Sequence, residues 1–127
     1  MEIIGIGTDV VDVVRFRDTM TRTPGILDRI FTPEERAWCE RKRDPAERFA
    51  VRFAAKEAVG KAMRTGLSRF PIREIEVMRG ADGEPSIRLG PKGTAVADEL
   101  GVDRFEISLS HSEQTAIAIA IAIGSER

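Results

Sequence analysis

Residues 115–123 read Thr-Ala-Ile-Ala-Ile-Ala-Ile-Ala-Ile. Strict alternation with a β-branched residue at every second position predicts a strand. Successive strand side chains point to opposite faces, so Ile117, Ile119, Ile121 and Ile123 share one face and Ala116, Ala118, Ala120 and Ala122 the other. Both faces are apolar, and the expectation is that neither meets water. The alanine face calls for a close, smooth neighbour. An exposed isoleucine edge would aggregate, so either a subunit partner or a helix is expected to cover it.

The alanine-rich side of residues 45–66 is the expected neighbour. Asp44 caps this segment, Pro45 opens it, Glu47 follows in the first turn and Gly66 stops it, which predicts a helix of roughly six turns at 3.6 residues each. At about 100° per residue, Val51, Ala54, Ala55, Ala58, Val59 and Ala62 share one broad arc. Phe49, Phe53 and Gly60 lie on the other side, and Glu57, Lys61 and Arg64 form a narrow polar stripe between the two apolar zones. Gly60 costs about 1 kcal/mol against alanine and is accommodated where a ligand or a phenylalanine packs closely.

The rest of the chain follows the same grammar. Glu2–Asp9 is a short strand ending in a Gly-Thr-Asp turn, with Asp9 at the N-cap of a following helix and Asp12 three residues on, as in a capping box. A Pro-Gly break and a short helical turn precede a helix capped by Thr32, with Pro33 at its first position. After Gly66 the period changes to alternation, with Ala-Asp-Gly-Glu-Pro turning one strand into the next. A helix between Pro91 and Gly101 and two strands around a polar turn complete a β-α-α-α-β-β-α-β-β order, an α+β fold in one domain over residues 1–127.

Bulk properties narrow the function classes. The net charge is −1, from 20 basic and 21 acidic residues, so no global field points to nucleic acid or an anionic membrane. One cysteine, Cys39, excludes an internal disulfide, and with His111 as the only histidine a structural zinc site is not expected. The first residues lack a signal-peptide pattern and no run is long enough to span a bilayer, so a soluble cytoplasmic protein is expected.

Three constellations carry chemistry. Glu57 and Lys61 at i,i+4 form an ordinary ion pair on a solvated stripe, or a carboxylate and an ammonium at a magnesium–phosphate site; the spacing supports both. Asp9 is an N-cap, or a metal ligand that with Glu57 makes up the one or two carboxylates Mg²⁺ takes alongside waters and phosphates. His111, among Ser108, Ser110 and Ser112, is a turn-end histidine or a ligand-binding one. Arg15, Arg17, Arg22 and Arg29 are solvated charge, or a local basic patch for an acidic protein.

Three blocks taken together point further. Gly5–Phe16 (GIGTDVVDVVRF), Arg52–Gly66 (RFAAKEAVGKAMRTG) and Ser108–Ile121 (SLSHSEQTAIAIAI) resemble, in order and spacing, the holo-[acyl-carrier-protein] synthase family of small single-domain 4′-phosphopantetheinyl transferases. The similarity runs over essentially the whole chain, and Phe-Ala-Ala-Lys-Glu-Ala is its most specific block. The resemblance implies an antiparallel-rich sheet packed on a long helix. It implies transfer of phosphopantetheine from coenzyme A to a serine of apo acyl carrier protein for fatty acid biosynthesis, with Mg²⁺ required. By the same resemblance Asp9 and Glu57 hold the metal. Lys61 contacts the pyrophosphate, and His111 with Ser110 lies near the nucleotide. Arg48 and Arg52 meet the 3′-phosphate, Thr65 adds a cofactor contact, and Gly83 and Pro85 line the adenine side. Glu57, Lys61 and His111 are the implied catalytic set. A homotrimer with active sites between subunits is implied, with carrier protein docking at Arg15, Met20 and Arg29. Arg64 stands where the family commonly has a small residue, often glycine, and Asp12 where glutamate is frequent.

Overall fold

The alanine–isoleucine strand lies at the centre of the main sheet. This computed structural model describes residues 1–65 and 67–125. β5 (Thr115–Gly124) runs antiparallel between β1 (Glu2–Asp12) and β4 (Val102–His111). Its alanines lie against α4 (Ala46–Ala62), and Ala116, Ala118, Ala120 and Ala122 are all fully buried. β1 carries glycine on the same face. A methyl built on Gly5 would stand 2.1 Å from the Ala62 carbonyl oxygen, and one on Gly7 would stand 2.0 Å from that of Ala58. Strand and helix backbones approach this closely because small residues leave nothing between them.

The isoleucine face is open in the single chain. Ile117 and Ile119 are 40% and 44% exposed, and Ile6 and Val10 on the neighbouring strand are 65% and 64% exposed. Burial on both faces was expected of this strand; within one chain only the alanine face achieves it.

Several boundaries differ from expectation, each for a local reason. No turn interrupts Gly7-Thr8-Asp9. β1 continues to Asp12, because Asp9 pairs with Ala118 in the β5 ladder. Asp12, not Asp9, caps α1 (Val13–Arg22), its carboxylate accepting the Arg15 N–H at 2.9 Å. The short turn after Pro24-Gly25 is a helix of its own, α2 (Ile26–Ile30). α3 (Pro33–Cys39) starts as expected, with a full capping box between Thr32 and Glu35. α4 has 17 residues rather than six turns, and ends at Ala62 where Arg64 turns into φ 65°. Gly66, the expected stop, lies outside the described residues. Asp44 accepts the Ala46 N–H at a long 3.4 Å, while Pro45 occupies the cap position.

β2 (Ile75–Arg79) and β3 (Pro85–Leu89) form a separate hairpin, entered through a 3₁₀ turn at Ile72–Glu74. Its tip closes as the Asp-Gly pattern predicts, with Gly83 at φ 83° and Gly80 N–H donating to Glu84 O at 2.8 Å. α5 (Pro91–Leu100) begins at a proline and ends at left-handed Gly101. Phe31 stacks near Phe49 with ring centres 4.8 Å apart, and Phe16 of α1 meets Phe53 of α4 at 5.3 Å, so the flanking helices lock onto α4.

Candidate active site

α4 presents candidate site residues on two flanks. On the β1 side, Lys61 Nζ donates to the Thr8 carbonyl at 2.9 Å and stands 3.3 Å from Asp9 Oδ1. Glu57, half-buried one turn earlier, faces the same cleft. Burial pushes its carboxyl above the usual carboxylate range and the charge of Asp9 pushes it further, against the opposing pull of Lys61. Asp9 reaches α4 because the ladder register points it to the alanine face alongside Gly7.

On the β4 side lies a cleft of about 490 Å³. Arg48, Arg52, Gly83, Pro85 and His111, scattered over three elements and a turn in the sequence, all line it. Its other wall includes Trp38 and Arg79, which sequence reasoning did not single out. Their signal was weak: a lone tryptophan and a strand-end arginine, joined only when the hairpin folds over α3. Ser108 lines the cleft; Ser110 is exposed, pairs with Ile117 and stands outside the lining. His111 Nδ1 contacts the Glu47 carboxylate, so the ring is oriented by the first turn of α4.

The two flanks are well separated. From Arg48 and Arg52 to Glu57 is about 140–180° around a helix, and Arg52 to Lys61 is roughly 13 Å along its axis. Asp9 and His111 likewise sit on strands to either side of β5. Thr65 follows α4 half-buried, its carbonyl accepting Ser68 Oγ at 2.8 Å. Arg15 and Arg29 are exposed on α1 and α2, whereas Met20 is partly packed against the core.

A second lysine of α4 is entirely buried. Lys56 Nζ donates to Glu35 Oε1 at 2.8 Å and to the Ile75 carbonyl at 2.5 Å. Glu35 Oε1 also accepts the Thr32 N–H, and Oε2 accepts the Val77 N–H at 2.8 Å. Burial lowers the pKa of Lys56, with Glu35 opposing. Cys39 is also buried, its thiol pushed up to about 12 chiefly by desolvation, which leaves it protonated and unreactive.

Residues 5–122 match the family model described as 4′-phosphopantetheinyl transferase superfamily. The chain belongs to that superfamily. Within it, the chain is 44% identical over 123 residues to holo-[acyl-carrier-protein] synthase of Desulforudis audaxviator, covering 96% of this chain and 94% of that one. The crystal structure of holo-[acyl-carrier-protein] synthase from Neisseria meningitidis superposes with a TM-score of 0.89 at 35% identity, over 96% of this chain and 99% of the other. The Helicobacter pylori holo-[acyl-carrier-protein] synthase, solved in complex with coenzyme A, superposes with a TM-score of 0.82 at 27% identity, over 93% and 99%. Arg64 holds a left-handed backbone that glycine adopts freely.

Among the described residues no group of three or more His, Cys, Asp and Glu side chains is placed to enclose a metal. Asp9 and Glu57 nonetheless fit Mg²⁺. They are oxygen donors facing each other closely enough that one raises the proton affinity of the other, and Mg²⁺ needs only one or two carboxylates when waters and phosphates complete its shell.

Proposed function

We propose that this chain is a holo-[acyl-carrier-protein] synthase. It transfers 4′-phosphopantetheine from coenzyme A to a serine hydroxyl of apo acyl carrier protein, releasing adenosine 3′,5′-bisphosphate, as a single transferase domain of residues 1–127 serving fatty acid biosynthesis in the cytoplasm. The observation that carries this is the conjunction of an arginine-lined cleft with a carboxylate–lysine cleft on one helix, in a chain alike over nearly its whole length to synthases of that activity. Among the described residues no helix is long and apolar enough to cross a bilayer.

The roles follow from chemistry. The serine hydroxyl releases its proton to water as its oxygen forms a bond to the phosphopantetheine phosphorus, and the bond from that phosphorus to the bridging pyrophosphate oxygen breaks, that oxygen leaving with adenosine 3′,5′-bisphosphate. Lys61 brings positive charge to the pyrophosphate, where negative charge accumulates. Asp9 and Glu57 would hold Mg²⁺, which when bound polarises the attacked phosphate and stabilises the leaving group. Arg48 and Arg52 hold the 3′-phosphate end. Gly83, Pro85 and His111 contribute further cofactor contacts in the arginine cleft, and Thr65 and Ser110, outside its lining, take their cofactor role from the family resemblance alone. Arg15, Met20 and Arg29 form the carrier docking face.

One coenzyme molecule cannot use both flanks of the same α4 without crossing the helix. A homotrimer resolves this, with the β1 flank of one copy facing the β4 flank of the next. The exposed face of Ile6, Val10, Ile117 and Ile119 supports such an assembly, because apolar surface of this extent marks an interface.

The test is the intact mass of an apo acyl carrier protein after incubation with this protein, coenzyme A and Mg²⁺. The expected result is a gain of one phosphopantetheine, abolished by EDTA. Coenzyme A binding with no mass gain on any carrier would overturn the transferase reading in favour of a binding module. Sedimentation of Ile119→Lys checks the assembly: the variant is expected to run as a monomer, and an unchanged sedimentation coefficient refutes this interface.

A further inference from the structure

The arginine cleft is organised around Trp38, the only tryptophan of the chain. The guanidinium carbons of Arg79 and Arg48 stand 3.8 and 4.0 Å from the centre of its ring system, and those of Arg41 and Arg52 stand 5.0 and 5.8 Å away. Arg48 is held twice, since its Nη1 also donates to the Trp38 carbonyl at 2.9 Å. The indole N–H of Trp38 is buried and has no hydrogen-bond acceptor among the described residues.

Four guanidinium groups around one indole would ordinarily be neutralised by acids. Elsewhere on this molecule six arginines do pair with carboxylates, Arg17, Arg22, Arg36, Arg69, Arg88 and Arg104. Arg41, Arg48, Arg52 and Arg79 have no carboxylate within ion-pair distance among the described residues. Burial lowers the proton affinity of Arg52; Cys39 and Glu35 oppose this, while the neighbouring charges of Arg79 and Arg48 add to it. Like charges crowd here with no carboxylate in direct contact, held by the electron-rich ring face and by the Trp38 and Arg48 carbonyls that Arg48 and Arg52 engage. Such a site is built for an external dianion, and a phosphate monoester carries more charge than either phosphate of a diphosphate diester.

We infer that Trp38 is a positioning residue that holds Arg48 and Arg79 as a pair for a terminal phosphate monoester, so that this collar selects coenzyme A over its 3′-dephospho form. The inference rests on reading the cleft as the coenzyme site, and adds to it a residue and a specificity. Trp38 need not touch the phosphate. Its ring fixes two flexible side chains before the ligand arrives, which lowers the ordering cost of binding.

The experiment compares steady-state transfer from coenzyme A and from 3′-dephospho-coenzyme A by the full-length protein and three variants. Trp38→Ala is expected to raise KM for coenzyme A about tenfold, with kcat changed less than about twofold and KM for the dephospho form unmoved. Trp38→Phe, which keeps a ring face, is expected to recover most of the discrimination. Arg79→Gln, a change at an exposed side chain, is expected to lose it as Trp38→Ala does, and decides the matter if Trp38→Ala does not fold. Equal KM increases for both substrates would mean a merely structural role and overturn the inference, as would an Arg79→Gln protein with intact discrimination. If the wild type transfers neither substrate, the functional reading fails separately. The collar is then judged by titrating Trp38 emission with adenosine 3′,5′-bisphosphate and adenosine 5′-monophosphate: preference for the bisphosphate supports it, and equal affinity overturns it.

Discussion

Helix α4 carries two lysine–carboxylate pairs five residues apart, and they have opposite characters. Lys56 and Glu35 are sealed from solvent, and between them they engage the Thr32 and Val77 N–H groups and the Ile75 carbonyl. Lys61 is about half exposed and its Asp9 contact is long, with Glu57 crowding the same cleft. Satisfied on every side, the first pair ties α3, α4 and β2 together and offers nothing to a ligand. The second is an excess of negative oxygen around one half-exposed ammonium, which a divalent cation and a phosphate would complete. Residue type does not separate structural from functional ion pairs; saturation of the hydrogen-bonding groups does.

The contrast breaks most visibly in stability. Lys56→Met strands the buried Glu35 carboxylate and is expected to cost about 3–5 kcal/mol, read as a lowered urea midpoint. A loss under about 1 kcal/mol would mean that the pair is not the tie described. Lys61→Met is expected to cost no more than about 1 kcal/mol while impairing transfer, so the two variants should exchange rank between the two assays.

Activity gives the next largest effect. Glu57→Gln should fold normally and cut kcat on the order of 100-fold; wild-type turnover at limiting Mg²⁺ would remove Glu57 from the metal site. The same carboxyl sets a pH signature. Its folded-state pKa is raised, so the stability it contributes to the metal-free protein is fully present below the ordinary carboxylate pKa and is lost as pH rises through the raised value. Metal affinity runs the other way, weakening as pH falls through that value. Stability curves of wild type and Glu57→Gln against pH should converge under acid, and parallel curves would contradict the assignment. The smallest effect belongs to Arg64. Replacing it by glycine relieves a left-handed backbone and is expected to stabilise by about 1 kcal/mol, measured by thermal melting; destabilisation would show that the side chain contributes more than its backbone costs.

Much of this was legible in the sequence where the signal is local. Thr32-Pro33, Pro91, Gly101 and the Asp-Gly turn each act through a cap, a fixed φ or a left-handed backbone within a few residues. Asp9 was misplaced as a cap because Asp9 and Asp12 offer the same capping chemistry; what decides between them is the ladder to Ala118, more than a hundred residues away. Lys56 went unremarked for the same reason, since its character depends on Glu35 and on a β2 carbonyl that only folding delivers. The Trp38 collar was beyond reach of any local rule, because Arg48 and Arg79 meet on it from a helix and a hairpin. The Arg48, Arg52, Gly83, Pro85 and His111 grouping came from family resemblance, and the fold does bring those residues to one cleft.

The central place of β5 carries a consequence for how the chain comes into being. β1, which bears Asp9, has no sheet partner until β5 exists, because the strand order is β1-β5-β4. A ribosome adding about 5–20 residues each second needs roughly 5–20 s between making the two strands. Throughout that interval the apolar edge of β1 waits unpaired and Asp9 has no fixed relation to Glu57. The acidic cleft is therefore among the last features to be assembled, and a nascent chain halted before β5 would hold every residue of that cleft while lacking the cleft itself.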